Sequence, residues 1–292
     1  MKKILIISDG KPGHLNQSIA FCKIKEIDFD ILEIRFKSKF FKLLSYFFDK
    51  LNFFTDFLFN KYKKINFNSY DAIISAGSET YYFNKLIAQK FNKKSIALML
   101  PKSYKFKNFY YIIAQEHDNP KKLDNILTIP LNLSFSQAKG YLEKVDRKKS
   151  LALIIGGDNS VFHMKYEQIK EILDYIFKEY KDYLKYVTTS RRTTKEIEEL
   201  IEKYDFDYKL IYSKEPNINP IGDFIQICDE FFITSDSTSM LSEVRANSNG
   251  KINIIKLDSN KNNTKFHRLV DIIEKMDNKK IEFAKILEKV KI

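Results

Sequence analysis

Short, nearly continuous apolar runs recur along the chain, each followed by a stretch whose apolar residues return every three or four positions. The first run, Lys3 to Ser8, reads as a buried strand leading through a loop at Asp9 to His14 into a helix from Leu15 to Ile24. Further strands are expected at Phe29–Phe36, Asp71–Ala76, Ser95–Leu100, Phe109–Ala114 and Asn125–Ile129. After a polar, basic stretch around Glu143–Lys149 the pattern restarts. Strands are expected at Leu151–Ile155, Leu184–Thr189, Tyr208–Tyr212, Glu230–Thr234 and Ile252–Leu257, with helices at Lys165–Tyr180, Thr194–Lys203, Pro220–Cys228 and Ser239–Ala246. Two helical segments, Thr264–Met276 and Lys279–Val290, follow. Strands that are apolar on both faces and joined through helices imply parallel sheets covered on both sides. The restart implies two such α/β domains, with a boundary near residues 140–150.

Composition narrows the classes. With 44% hydrophobic residues in 292, the chain can build real cores and is not expected to be disordered. Two distant cysteines, Cys22 and Cys228, exclude a disulfide scaffold or a cysteine-rich zinc domain and suit a reducing cytoplasm. No long apolar run suggests a transmembrane helix or signal peptide, so a cytoplasmic location is expected. The net charge of +12 comes mostly from lysine, with only six arginines, and part of it reads as codon bias.

Glycine is scarce, 8 residues in all, and Gly10, Gly13, Gly77, Gly156 and Gly157 all come directly after expected strands. Ligands of open parallel sheets bind outside the carboxyl ends of the strands, where glycine lets the backbone approach them. That placement favours a ligand cleft over ordinary turn-making.

Four of these strand-end loops carry candidate chemistry. Asp9, Gly10, Lys11, Gly13 and Gln17 surround His14 at a helix start, where free N–H groups suit a polar acceptor. The helix terminus favours a neutral His14, and a neutral imidazole can take a proton from a hydroxyl; an exposed turn histidine would carry the same letters. The loop has neither Walker nor Gly-x-Gly-x-x-Gly spacing. Gly156 and Gly157 could cradle a phosphate. In Ser190-Arg191-Arg192-Thr193, two of the six arginines stand side by side at a strand end, suited to a diphosphate, and Thr193 with Glu196 reads as a capping box. Asp236, Ser237, Ser239 and Met240 open another helix with hydroxyls and N–H groups for phosphate, and Glu243 lies one turn on, suited to ribose hydroxyls.

Glu116 and His117 follow a further strand and could assist catalysis, bind acceptor or line a polar wall. Asp28-Phe29-Asp30 and Asp205-Phe206-Asp207 precede strands and read as turn residues, while His163 and His267 lack partners at metal-ligand spacing. No metal and no cofactor is expected.

Residues 35–64 hold eight Lys/Arg against Asp49 and Asp56, interleaved with Phe and Leu. Phe40, Leu44, Phe47, Leu51, Phe54 and Leu58 keep helical spacing. The mixture suits an anionic membrane surface, and equally a pair of helices packed on the first sheet. Nucleic acid is not expected, since no binding motif accompanies the charge.

Asp9-Gly10-Lys11-Pro12-Gly13-His14…Gln17, Ser75-Ala76-Gly77, Glu116-His117-Asp118, Gly156-Gly157, Ser190-Arg191-Arg192-Thr193 and Ser235-Asp236-Ser237-Thr238-Ser239-Met240…Glu243 occur in one order across nearly the whole chain. In this the sequence resembles the mitochondrial-fission "elongated mitochondria" type family, whose bacterial members are regarded as GT-B glycosyltransferases. Residues 35–64, and Ile252 after Gly250-Lys251 where proline is common, depart from it. A looser likeness is to the lipid-linked N-acetylglucosaminyltransferase of peptidoglycan synthesis.

The resemblance implies a GT-B-like α/β fold of two Rossmann-like parallel-sheet domains facing across a cleft. Residues 1–147 would hold a glycan or lipid-linked acceptor of the cell envelope. Residues 148–292 would hold a nucleotide-sugar donor, with the last helices packing back on the first domain. Arg191, Arg192 and the Ser237/Ser239 helix start would neutralise the leaving diphosphate without a metal. Glu243 would hold the ribose, and His14 would be the base of an inverting displacement or would orient the acceptor. The protein would sit in the cytoplasm, peripheral on the inner face of the cytoplasmic membrane; a nucleotide-sugar hydrolase of the same architecture and a non-catalytic membrane-associated scaffold are the alternatives.

Overall fold

A computed structural model describes residues 2–292. The chain divides into two compact units: the first runs to Phe135 and resumes at Glu282–Ile292, and the second is Ser136–Ile281.

The first unit is built on a six-stranded parallel sheet. Its strands are β1 (Lys3–Ser8), β2 (Asp28–Glu33), β3 (Ala72–Ala76), β4 (Lys94–Leu98), β5 (Tyr111–Gln115) and β6 (Ile126–Ile129), in the order β2-β1-β3-β4-β5-β6. Three helices, α1 (Pro12–Ile24), α2 (Lys39–Leu51) and α3 (Tyr81–Lys90), accompany it. The central strands are buried along their length, as continuous apolar runs require. The order reverses beside β1, with β2 on one side and β3 on the other. In open α/β sheets such a reversal opens a crevice at the carboxyl ends.

The second unit repeats the plan. Its strands are β7 (Ser150–Ile154), β8 (Phe162–His163), β9 (Leu184–Thr188), β10 (Tyr208–Leu210), β11 (Glu230–Thr234), β12 (Lys251–Ile255) and β13 (Asp258–Ser259). Five form a parallel sheet ordered β10-β9-β7-β11-β12, and β8 pairs antiparallel with β13. The helices are α4 (Tyr166–Glu179), α5 (Lys195–Glu202), α6 (Ile221–Ile227), α7 (Thr238–Asn247) and α8 (Lys265–Glu274). Here the reversal falls at β7, between β9 and β11.

Three expectations need correction. The units part at Phe135/Ser136, not at 147/148, because the segment after Ser136 is fastened to α6. Buried Asp223 accepts the N–H groups of Lys139, Gly140 and Tyr141, and a side chain on Gly222 would strike the Gln137 carbonyl. The segment 35–64 forms one α-helix followed by a short 3-10 turn at Asp56–Leu58, not a pair of packed helices. Asn52 closes α2 in the left-handed region (φ +55°), a conformation asparagine tolerates, so Phe54 and Leu58 leave the expected helical face. Asp28 and Asp30 belong to β2 instead of preceding it, and Asp30 accepts the Tyr70 hydroxyl at 2.6 Å.

At its end the chain returns to the first unit through α9 (Phe283–Leu287). Lys25 Nζ reaches the Leu287 carbonyl and the Tyr111 hydroxyl reaches that of Lys289. Cys22 and Cys228 are free and buried, and burial pushes both thiols up to about 12, far from any reactive range. No helix among the described residues is long and apolar enough to cross a membrane.

Candidate active site

The carboxyl ends of β1 and β3 flank the reversal in the first sheet, and His14 stands there. It is the third residue of α1, which starts at Pro12, a favoured first helical residue because its missing N–H has no partner to lose. His14 Nδ1 lies 2.9 Å from Asp9 Oδ2. The Asp9 side chain is 4% exposed and also meets the N–H and Nζ of Lys11 at 3.1 and 3.3 Å. Burial alone would raise the Asp9 carboxyl, but the hydrogen bond and charge of His14, with Lys11, outweigh it and hold the group at about 2. An ionised Asp9 can only accept, so Nδ1 carries the hydrogen and Nε2 is left to take a proton.

Gly77, at φ +89°, ends β3 beneath this ring. A Cβ there would lie 2.3 Å from His14 Cε1 and Nδ1. Gly77, which the sequence placed at a ligand cleft, is therefore the seat of the imidazole, and Asp9, read there as an acceptor contact, is its orienting partner. Gly10 turns the loop at φ +76°, with its N–H held by Ser8 Oγ. Gln17 is buried; it donates to the Gly13 carbonyl and accepts from Gln115, so it stiffens α1 from within. A cavity of about 480 Å³ adjoins the dyad loop, lined by Asp9, Lys11, Arg35, Ser38, Lys39, Lys42 and Glu79 among others. Arg35, Lys39 and Lys42 lie far along the chain from this loop, so no local motif tied them to it.

Glu116 and His117 form a 3-10 turn after β5, two strands from β3, where Glu116 is exposed and His117 is buried. Gln115, one residue earlier, makes the link to α1.

In the second unit the loops after β7, β9 and β11 meet on one buried carboxylate. Asp236 is 1% exposed; it accepts from Thr234 Oγ1 (2.6 Å), the Gly157 N–H (3.0 Å) and Arg192 Nη2 (2.5 Å). Arg192 Nη1 donates to the carbonyls of Gly157 and Asp158. The Gly156 N–H goes to Thr234 Oγ1, while its carbonyl accepts from Ser190 Oγ and Thr193 Oγ1. A Cβ on Gly156 would lie 2.1 Å from Asp236 Oδ1, and one on Gly157 1.9 Å from the Arg192 carbonyl.

These contacts correct several sequence readings. The two glycines are bare so that three loops can close on each other, and their N–H groups are not free for a phosphate. Ser190, Arg192, Thr193 and Asp236 are the fastenings of that junction. Thr193 does not cap α5: the cap position is Thr194, and Thr193 is occupied by the Gly156 carbonyl.

What remains for a ligand is narrower. Arg191 is exposed beside its fixed neighbour. Ser237 caps α7 by accepting the Met240 N–H, and Ser239 is exposed in the first turn, whose free N–H groups carry the positive end of the helix dipole. Glu243 is half-buried; burial raises its carboxyl, although the Ser136 hydroxyl at 3.1 Å works the other way. Among the described residues no group of three His, Cys, Asp or Glu side chains could hold a metal ion.

Two Rossmann-like α/β units, each with a strand-order reversal, define a fold of the GT-B class. Residues 12–282 match the family described as Mitochondrial fission ELM1, and the chain belongs to that family. No curated protein matches the sequence. Among solved structures it is similar to the UDP-GlcNAc 2-epimerase from Neisseria meningitidis bound to UDP-GlcNAc, with a TM-score of 0.50, 10% identity, and 93% of this chain and 85% of that chain covered. The S. aureus MnaA–UDP structure is similar at TM-score 0.49 and 12% identity, covering 97% and 94%. The glycosyltransferase SnogD from Streptomyces nogalater is similar at 0.47 and 8%, covering 99% of each chain.

Proposed function

We propose that the protein is a metal-independent glycosyltransferase that moves a sugar from a nucleotide-sugar donor to a hydroxyl of a cell-envelope glycan or lipid-linked acceptor. The Asp9–His14 dyad carries this reading: an imidazole oriented by a buried carboxylate, with Nε2 free, at the reversal point of the first sheet. His14 Nε2 takes the acceptor's hydroxyl proton as the oxygen attacks the anomeric carbon. The bond from that carbon to the donor's diphosphate breaks in the same displacement. The leaving diphosphate meets the Arg191 guanidinium and the open first turn of α7, which fill the role of a metal ion. Glu243 holds the ribose hydroxyls.

A thermal-shift panel of nucleotides and nucleotide sugars tests the donor half. Uridine nucleotide sugars head it, because the similar Neisseria fold is described as bound to UDP-GlcNAc. Stabilisation by one donor above the rest is the expected result, and no response to any nucleotide would remove the donor site and leave a scaffold. Nucleoside diphosphate released as fast without acceptor as with it would select a hydrolase.

A further inference from the structure

A helix on the surface of a soluble protein ordinarily buries its apolar stripe and shows water its polar one. The helix α2 departs from this: Phe41, Leu44, Tyr46 and Phe48 pack partly against the core, but the most deeply buried positions are polar and a full apolar row stays outside. Ser45 and Asp49 are completely buried on its inner side. Asp49 Oδ1 lies 2.6 Å from Lys85 Nζ of α3, Asp49 Oδ2 accepts the Lys105 N–H at 2.7 Å, and Ser45 Oγ lies 3.0 Å from the Tyr104 hydroxyl. Phe40, Leu43, Phe47 and Leu51 point outward, 67, 64, 56 and 60% exposed. Their spacing of three, four and four places them on one face, and Phe53 and Phe57, also exposed, extend the patch past the helix end.

The surroundings of this face are basic. At about 100° per residue, Lys39 and Lys50 fall on one flank of the apolar arc. Lys37 lies 3.9 Å over the Phe57 ring, and Lys61, Lys63 and Lys64 are exposed further along the segment. Among the described residues of 35–64, Asp56 is the one exposed acid, since Asp49 is buried against Lys85. We propose that α2 docks the first unit on an anionic lipid bilayer, with Phe40, Leu43, Phe47 and Leu51 in the acyl boundary and the flanking lysines on the headgroups. Apolar side chains ringed by lysine match the two layers of a membrane surface. A second copy of the same face would instead oppose lysine to lysine. Ser38, Lys39 and Lys42 also line the cavity beside Asp9 and Lys11, so docking brings the dyad loop close to the lipid surface.

Docking requires no nucleotide and stands or falls apart from the donor reading. The test is co-sedimentation of the full chain with vesicles of phosphatidylglycerol and phosphatidylcholine, against phosphatidylcholine alone. Binding is expected with the anionic vesicles, weakening between about 50 and about 500 mM salt and falling at least about tenfold in L43E/F47E. Both side chains already face outward, so the double variant should keep the wild-type melting temperature. The protein contains no tryptophan. F47W therefore supplies a lone reporter, whose fluorescence should be quenched by brominated acyl chains. No sedimentation of the wild type, equal sedimentation of L43E/F47E, an unquenched F47W, or a dimer that L43E/F47E abolishes would overturn the proposal.

Discussion

Gly77 and His14 compete for the same few ångströms, so the smallest substitution in the site is among the most informative. Gly77→Ala puts a Cβ into the imidazole at a positive φ. It should cost at least about 1 kcal/mol of stability and displace His14, slowing turnover more than it weakens donor binding. Asp9→Asn keeps the shape but frees Nδ1 to exchange its hydrogen, and should slow turnover on the order of a hundredfold. Because Asp9 is held at about 2 in the folded chain, its stabilising contribution is complete above about pH 4 and is lost as the pH falls through its folded value. A melting-temperature titration should show that acid step in the wild type and lack it in Asp9→Asn. In the second unit the adjacent arginines should behave oppositely. Arg191→Ala should leave the melting temperature unchanged and weaken donor binding about tenfold or more. Asp236→Ala, which leaves Arg192 unpaired, should destabilise by on the order of 3 kcal/mol whether or not nucleotide is present. The sequence displayed these residues clearly but not their division of labour. A bare glycine reads as room for a ligand until neighbouring strands show what fills the space.

At the level of elements, strands were more legible than helices. Strand runs such as Ile4–Ile7 are apolar on both faces and announce themselves. The helix α3 escaped notice because it buries Asn84 and Lys85 along with its tyrosines, which blurs the apolar periodicity. The apolar periodicity of α2 was legible, but the pattern could not say which way the stripe faces. That depends on Lys85, a residue of another helix far along the chain, meeting Asp49. The helix makes a paired prediction for chemical denaturation. Asp49→Ala should destabilise by about 3 kcal/mol, since it strands a buried lysine, while Phe47→Glu on the opposite side should stay within about 0.5 kcal/mol of wild type.

Over the whole molecule, both sheets reverse their strand order beside their first strand, β1 or β7, and the candidate chemistry collects at those two places. The restart of the hydrophobic pattern revealed two units, because each sheet needs its own continuous strands. It misplaced the boundary, because residues 136–147 add little core and are held mainly by backbone bonds to Asp223. In the proposed reaction the chemical step falls to the first unit and the donor's phosphates to the second, so binding and turnover should separate. The most direct test is single-turnover release of nucleoside diphosphate from a bound nucleotide sugar, started by adding a cell-envelope glycolipid extract as acceptor, in the wild type and in His14→Ala, with donor affinity measured alongside. Unchanged affinity and release slowed by on the order of a hundredfold or more are expected in His14→Ala. Release at the wild-type rate from His14→Ala would contradict the proposed reaction.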